Sequence, residues 1–235
     1  MSSSPYFTVY VKPRPDATKV LFYFTSYKVP WWIFIVPILR FRRLGYEVIV
    51  YSLHDEIMEN EDTRVLPSVT QDIINDVAAR RQAYVKQGIQ TFHGIGNSLG
   101  SYMMFNSSQR IPFSAIVLNS VGSAADVLFS TKRRSLRKAT EAYIAQNHTH
   151  DSLQNLWTEF DRPSNGHAIK SPKILITYSE KDGLVPSSGP AELMQALDAH
   201  NKKYEVKVDH LPHEASILFN ALQVRRIYQF LNSDK

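Results

Sequence analysis

A serine lies between two glycines at a predicted strand-to-helix junction, in the segment Gly96-Asn-Ser-Leu-Gly100. Residues 89–95 are predicted to form the strand and residues 98–109 the helix. A sharp turn at this point lifts the Ser98 hydroxyl above the end of a sheet, and its neighbours must be small for the chain to turn so tightly. The turn also points the backbone N–H of Leu99 toward a reacting oxygen. The pattern favours a nucleophilic serine, the alternative being a glycine-rich turn with a helix-capping serine.

A serine hydroxyl needs a base, and the base needs an orienting acid. Asp182 follows a later predicted strand, where the alternative is a plain Asp-Gly turn. His210 and His213 follow the last predicted strand, residues 204–208. His210 continues the alternation of that strand, whereas His213 lies in a loop before the last helix. The loop position suits a base that must reach Ser98, so His213 is favoured, with a surface or capping role as the alternative for either histidine.

These residues need a scaffold, and strands alternate with helices along most of the chain. The predicted strands are residues 19–25, 46–51, 89–95, 114–118, 173–178 and 204–208. The predicted helices are residues 30–43, 67–85 and 98–109, one that opens at 187–190, and a last helix that carries 217–231. This alternation predicts an α/β fold with a mostly parallel central sheet and helices on both faces. Residues 204–209 alternate apolar with charged side chains, which predicts a strand near a sheet edge with one solvent-exposed side.

The alternation is interrupted between residues 121 and 170, where helical patterns occur without a strand. This stretch is predicted to be a small helical cap over one end of the sheet. The predicted domain organisation is therefore a core of residues 1–120 and 171–235 with a cap or lid insertion of residues 121–170.

Composition limits the function further. The chain has 235 residues and no cysteine, which excludes disulfides, thiolate metal sites and a cysteine nucleophile. The N-terminal residues lack the pattern of a signal peptide, and the longest charge-free apolar run, residues 29–39, is shorter than the about 20 residues of a membrane span. These features predict a cytoplasmic protein without a transmembrane segment.

The net charge of +5 is concentrated in one short segment. Five cations lie within seven residues: Lys132, Arg133, Arg134, Arg137 and Lys138. The segment is either a solvated helix face or a surface that attracts an acidic substrate or an anionic surface. A module that binds nucleic acid or a membrane surface is a further hypothesis from the charge, but the favoured interpretation has no nucleic-acid partner.

Neither a metal nor an organic cofactor is expected. His148 and His150 form a His-x-His pair, but no carboxylate-rich ligand set accompanies them, so they are interpreted as surface residues. The chain also lacks a glycine-rich loop of the kind that cradles phosphates.

The order Ser98, Asp182, His213, each in a loop after a successive strand, resembles the α/β-hydrolase family, from about Lys19 onward. Residues 44–48 (Leu-Gly-Tyr-Glu-Val) are similar to the family's helix end and strand entry, and residues 182–186 (Asp-Gly-Leu-Val-Pro) are similar to its acid loop. The resemblance implies that Ser98 is the nucleophile, Asp182 the acid and His213 the base.

The segment after the first core strand departs from the family, which usually has His-Gly there and uses a backbone N–H to complete an oxyanion hole. This chain has Phe24-Thr-Ser-Tyr-Lys28. The first N–H donor of the oxyanion hole is that of Leu99, and the second is placed at Ser26. Thr25 and Tyr27 are the alternatives if this placement is shifted by one residue. Tyr27 and Trp31 are candidate substrate-pocket residues, with ordinary core packing as the alternative.

The expected reaction is hydrolysis of a small-molecule carboxylic ester by a serine esterase through an acyl-enzyme intermediate, with thioesters and amides also open. The alternative, motivated by the altered oxyanion segment, is a catalytically weak hydrolase-fold protein that binds a small apolar ligand. Oligomeric state is not predicted.

Overall fold

The computed structural model describes residues 4–233, and within them seven strands form one sheet. In chain order the strands are Phe7–Lys12 (β1), Lys19–Phe24 (β2), Tyr46–Leu53 (β3), Thr91–Asn97 (β4), Ala115–Asn119 (β5), Ile174–Ser179 (β6) and Tyr204–Asp209 (β7). Their order in the sheet is β1-β3-β2-β4-β5-β6-β7. All neighbouring strands are parallel except the pair β1 and β3. The predicted mostly parallel sheet is therefore confirmed.

Helices connect the strands and cover both faces of the sheet. They are Ile35–Arg43 (α1), Glu56–Glu59 (α2), Val65–Lys86 (α3), Leu99–Arg110 (α4), Ala124–Ser130 (α5), Arg134–Ala145 (α6), His150–Leu156 (α7), Ser188–Ala199 (α8), His213–Leu222 (α9) and Val224–Asn232 (α10). Short 3-10 helices span Trp31–Phe34 and Pro163–Ala168. None of the helices in residues 4–233 is long and apolar enough to cross a membrane.

Side-chain alternation along the strands divides the core into two apolar layers. In β2, Val20, Phe22 and Phe24 join the layer that α3, α4 and α8 cover. Leu21 and Tyr23 point the opposite way, into the layer that α1, α9 and α10 cover. Burial on both faces explains why the central strands have continuous apolar runs.

Three details of the fold differ from the sequence-based predictions. β1 was not predicted; it is antiparallel at one edge of the sheet and mostly half-buried. The last predicted helix is two helices, which meet at Gln223, where ψ is 43°. β7 lies at the predicted edge, but Val206 and Val208 are 38% and 39% exposed while Asp209 is buried. The alternation along β7 predicts that its charged side chains face the solvent, and this prediction is wrong for Asp209.

The stretch between β5 and β6 contains α5, α6, α7 and the second 3-10 helix, and no strand among its residues, 121–170. Its side chains reach the loop after α2: the Tyr143 hydroxyl donates to the Asn60 carbonyl, and the Trp157 indole N–H donates to the Thr63 carbonyl at 2.8 Å. These bonds fix the helical stretch against the β3–α3 connection. The ends of the predicted core, residues 1–3 and 234–235, lie outside the described residues.

Candidate active site

Ser98 occupies the turn between β4 and α4 with φ 53° and ψ −118°, a left-handed conformation that costs a serine free energy. The flanking glycines make the turn possible. A Cβ on Gly96 would lie 2.3 Å from the Gly100 carbonyl oxygen, and a Cβ on Gly100 would lie 2.2 Å from the Thr25 carbonyl oxygen. The start of α4 therefore packs directly against the end of β2, and this contact holds the strained serine in place.

A continuous chain of hydrogen bonds joins three of the predicted site residues. Ser98 Oγ lies 2.9 Å from His213 Nε2, and His213 Nδ1 lies 2.7 Å from Asp182 Oδ2. The side chains of His213 and Asp182 are only 4% and 3% exposed. Because a carboxylate only accepts hydrogen bonds, the ring proton lies on Nδ1 and the Nε2 lone pair faces the hydroxyl. In this geometry the imidazole can take the Ser98 proton.

Asp182 is stabilised as an anion despite its burial. Its Oδ1 accepts hydrogen bonds from the backbone N–H groups of Leu184 and Val185, both at 2.9 Å. Burial raises the pKa of Asp182, but the hydrogen bond from His213 and those from the two N–H groups outweigh it, and the pKa is below its ordinary value. The carboxylate is thus ionised at neutral pH.

Two hydrogen bonds tie the loop that carries Asp182 to the loop that carries His213. The Ser179 hydroxyl donates to the Leu211 carbonyl at 2.6 Å, and the Glu180 N–H donates to the Asp209 carbonyl at 3.0 Å. The distance between acid and base therefore depends on the pairing of β6 and β7 and its continuation beyond the strands.

Asp209 is a structural residue of this region that the sequence analysis did not single out. Its carboxylate accepts from the Leu211 N–H at 3.0 Å and from the side chains of Ser216 and Asn220, both at 2.8 Å. These bonds join the end of β7 to α9, whose first residue is His213. The only signal in the sequence is a carboxylate at the carboxyl end of a strand, four positions before the histidine.

The two predicted oxyanion donors lie on the elements that the glycine contact brings together. Leu99 is the first residue of α4, and Ser26 is a buried residue just beyond β2. None of the described residues accepts a hydrogen bond from the N–H of Leu99 or Ser26, whereas the N–H of Thr25 donates to the Tyr51 carbonyl at 3.0 Å. Thr25 is thereby occupied by the sheet, which leaves Ser26 and its neighbour Tyr27 as candidates for the second donor.

A narrow cavity of about 30 Å³ lies beside Ser98, with room for roughly one or two water molecules. Its wall is mostly apolar and includes Tyr27, Met58, Leu99, Val127, Leu136, Leu184 and Val185. Tyr27, a candidate substrate-pocket residue, is thus part of this cavity wall. Trp31 does not line this cavity: its ring stacks on Tyr10 of β1, with ring centroids 4.9 Å apart.

Ser120 is a polar cavity residue that the sequence analysis missed. It follows β5 directly, has a φ of 57° and is 1% exposed. Its hydroxyl has no hydrogen-bond partner among residues 4–233, and the residue lines the same cavity as Ser98. The signal for it in the sequence is its position after the strand that neighbours β4, since the carboxyl ends of parallel strands meet at one edge.

The remaining histidines singled out in the sequence lie apart from Ser98 Oγ. His210 is exposed and lies 3.2 Å from a Glu180 oxygen. His150 lies between Asp126, at 2.7 Å, and Asp151, at 2.9 Å; the bonds to Asp151 and then Asp126 raise its pKa. No cluster of three or more His, Asp or Glu side chains in the described part of the chain is arranged to hold a metal ion.

Comparisons with known proteins give structural relatives only. No family model and no curated protein sequence matches the chain. A puromycin-hydrolysing peptidase of Mycobacterium tuberculosis superposes with a TM-score of 0.66 at 14% identity, over 96% of this chain and 37% of the peptidase. An esterase of Pyrococcus furiosus gives 0.59 at 16% identity, over 92% of this chain and 80% of the esterase. E-2-(acetamidomethylene)succinate hydrolase gives 0.60 at 14% identity, over 97% and 96% of the two chains.

The share of each relative that this chain covers differs widely. The chain spans little more than a third of the peptidase but nearly the whole length of the succinate hydrolase. At such low identities the superpositions establish the fold, and the chemistry has to be argued from the residues around Ser98.

Proposed function

From the α/β-hydrolase fold of this chain, we infer that the protein is a serine hydrolase of carboxylic esters. The observation that carries the proposal is the hydrogen-bonded chain from Ser98 through His213 to Asp182. A buried base within hydrogen-bond distance of the hydroxyl of a serine with a strained backbone, oriented by an ionised acid, is the arrangement that makes serine nucleophilic.

The reaction begins when His213 Nε2 takes the proton from Ser98 Oγ as the oxygen attacks the ester carbonyl. The N–H of Leu99 and that of Ser26 hold the resulting oxyanion. His213 then gives its proton to the departing alkoxide, which leaves as an alcohol and yields the acyl-serine. A water molecule that loses a proton to His213 attacks this ester, and the acid is released as the proton returns to Ser98. Asp182 stabilises the imidazolium in both halves of the cycle.

The stretch 121–170 acts in this proposal as a cap on the site. It contributes Ala124, Val127 and Leu136 to the cavity wall beside Ser98. The Asp161 carboxylate anchors α5, since it accepts from the Ser123 hydroxyl and the Ala125 N–H, both at 2.9 Å. The cap thus presents fixed apolar side chains to the acyl group.

The test is hydrolysis of p-nitrophenyl acetate and butyrate, together with labelling by a fluorophosphonate probe. Wild-type protein is expected to hydrolyse the esters and to be labelled on Ser98, and Ser98→Ala should lose roughly 10³-fold or more of the rate and all labelling. Ser107→Ala is the matched control, because Ser107 is a buried serine of α4, the helix that follows Ser98, and its hydroxyl has no partner among residues 4–233.

Hydrolysis that survives Ser98→Ala, or an inactive and unlabelled wild type, would contradict the proposal. The second result, combined with binding of a small apolar ester, would favour a ligand-binding protein without turnover. Rates for a matched butyryl ester, thioester and anilide then rank the acyl bonds that the site cleaves.

A further inference from the structure

An open groove with a volume of about 1180 Å³ lies beside the candidate active site. Its wall comes mainly from the start of α6 and the residues before it. Six cations line it: Lys28, Lys132, Arg133, Arg134, Arg137 and Lys138. The charged segment found in the sequence is therefore one wall of this groove.

Three contacts connect the groove to the Ser98 cavity. The Tyr27 hydroxyl, from a residue in the cavity wall, lies 2.9 Å from the hydroxyl of Ser135 in the groove wall. Leu136, the next residue of α6, lines the cavity itself. Arg133 forms an ion pair with Glu214, which directly follows His213. Residues of the groove wall therefore contact or directly adjoin residues of the cavity wall.

Most cations of the groove are neutralised by neighbouring carboxylates. Four of the six take part in ion pairs: Arg133 with Glu214, Arg137 with Glu141, Lys138 with Glu61, and Lys28 with both Asp55 and Glu59. Lys132 and Arg134 are exposed and form no ion pair with any of the described residues. They are thus the two groove cations whose charge is available to a ligand.

Size and charge together define the ligand. The cavity of about 30 Å³ beside Ser98 is too small for a large ester group, and the groove, whose wall adjoins the cavity wall, is the larger space. We propose that the substrates are esters of small acids whose alcohol portion carries a carboxylate or a phosphate, and that Lys132 and Arg134 bind this anion. The proposal rests on the ester hydrolysis inferred above.

Matched esters with one leaving-group scaffold test it: 4-acetoxybenzoate, the neutral 4-acetoxybenzamide and 4-acetoxyphenyl phosphate. In the double variant Lys132→Gln/Arg134→Gln, kcat/KM for the anionic esters should fall roughly fivefold relative to 4-acetoxybenzamide, mainly through KM, because each exposed charge pair contributes only modestly to binding. The ratio of kcat/KM for 4-acetoxybenzoate to kcat/KM for 4-acetoxyphenyl phosphate identifies the preferred anion.

The control is Lys86→Gln/Lys203→Gln. It removes two exposed cations that lie near the amino ends of the strands, one at the end of α3 and one before β7, whereas Ser98 follows the carboxyl end of β4. It should leave the ratio of charged to neutral ester unchanged. Salt should lower that ratio for wild type and have little effect on it in Lys132→Gln/Arg134→Gln.

An equal loss for charged and neutral esters, or the same loss in the control, overturns the proposal. So does loss of binding to phosphatidylglycerol vesicles in Lys132→Gln/Arg134→Gln with no change in the ester ratio, which would assign the groove to a membrane surface. Calorimetric binding of 4-acetoxybenzoate to Ser98→Ala, with and without Lys132→Gln/Arg134→Gln, tests the anion site without turnover. A wild type that fails to hydrolyse even the neutral ester counts against the proposed function instead.

Discussion

At the scale of single residues, Asp182 combines near-complete burial with a negative charge. Its three hydrogen bonds come from His213 and from two backbone N–H groups of its own loop. The backbone bonds fix one oxygen, so the other can only face His213 Nδ1. In the proposed mechanism the carboxylate therefore selects the imidazole tautomer and stabilises the positive charge that forms when Ser98 is deprotonated.

Asp182→Asn should lower kcat for p-nitrophenyl acetate by roughly 10³–10⁴-fold, because an amide neither stabilises the imidazolium nor enforces the required tautomer. Steady-state rates and the rate of fluorophosphonate labelling measure the loss. Glu180→Gln is the control in the same loop; among residues 4–233 its carboxylate pairs only with the exposed His210, and activity should be retained. Comparable losses in the two variants would contradict the role given to Asp182.

Gly100→Ala should disrupt the site without touching any group that reacts. The new Cβ would lie 2.2 Å from the Thr25 carbonyl oxygen and 2.6 Å from that of Phe24, so α4 must move away from β2. We expect a loss of about 1–3 kcal/mol in the free energy of unfolding and a fall in kcat as Leu99 and Ser26 separate. Urea unfolding and ester hydrolysis measure the two effects.

Gly183→Ala is the matched glycine substitution, since nothing lies within 4 Å of a Cβ at that position and its φ is not left-handed. It should leave both quantities near those of wild type. If Gly100→Ala behaves in the same way, the tight contact between α4 and β2 does not hold the site.

The residues of the hydrogen-bonded chain could be predicted from the sequence because each has a local signal: glycine spacing for Ser98, an Asp-Gly loop for Asp182 and a loop histidine for His213. For Ser120 and Asp209 the only signal is a position at or just after the end of a strand, because their surroundings form only when β4, β5 and α9 come together. Trp31 was named as a pocket candidate for its aromatic character alone, and aromatic character does not specify which residue a ring packs against. The Trp31 ring packs against Tyr10 of β1.

At the scale of elements, the segments after β6 and β7 together position Asp182 and His213. Asp209 joins β7 to α9 and so sets the position of the first turn of that helix. Burial raises the pKa of Asp209, but bonds from the Leu211 N–H and from the Ser216 and Asn220 side chains outweigh it and the pKa is lowered. An aspartate with a lowered native pKa stabilises the fold above its unfolded pKa, and this contribution is lost as the pH falls through the native value.

Asp209→Asn should therefore destabilise the protein more at about pH 6 than at about pH 3, which lies below the unfolded pKa of an aspartate, so that part of the wild-type contribution is already lost there. We expect a loss on the order of 1–3 kcal/mol at the higher pH, from urea unfolding at the two pH values. Asp72→Asn, at an exposed position of α3, is the control and should change neither value much. A loss in Asp209→Asn that does not depend on pH would show that the charge of Asp209 contributes nothing.

The parallel strands and their helices were predictable because burial on both sides leaves continuous apolar runs between helical periods. β1 escaped prediction because an antiparallel edge strand has neither a following helix nor a fully buried run. The break between the two last helices at Gln223 was not predicted, because the apolar spacing continues through α9 and α10. The buried side of β7 depends on the hydrogen bonds of Asp209 to α9, which alternation along one strand does not reveal.

At the scale of the whole molecule, the helical stretch 121–170 and the sheet share the walls of one cavity. Leu136 of α6 and Leu184 of the acid loop line it together, and the helical stretch is held in place by Tyr143 and Trp157 through the loop after α2. A cavity lined by two such units has a size set by the side chains on each, and in the proposed hydrolysis the small volume of this one favours short acyl groups.

Leu136→Ala should shift that preference toward longer chains. The truncated side chain opens the cavity on its α6 side, so kcat/KM for p-nitrophenyl octanoate relative to acetate should rise roughly tenfold, while the fold loses about 2–4 kcal/mol of stability. Leu153→Ala is the matched control, because Leu153 is equally buried in α7 but does not line the cavity. It should lose similar stability and keep the wild-type ratio. If wild type already prefers octanoate, or if both variants change the ratio equally, the wall formed by residues 121–170 does not set the acyl length.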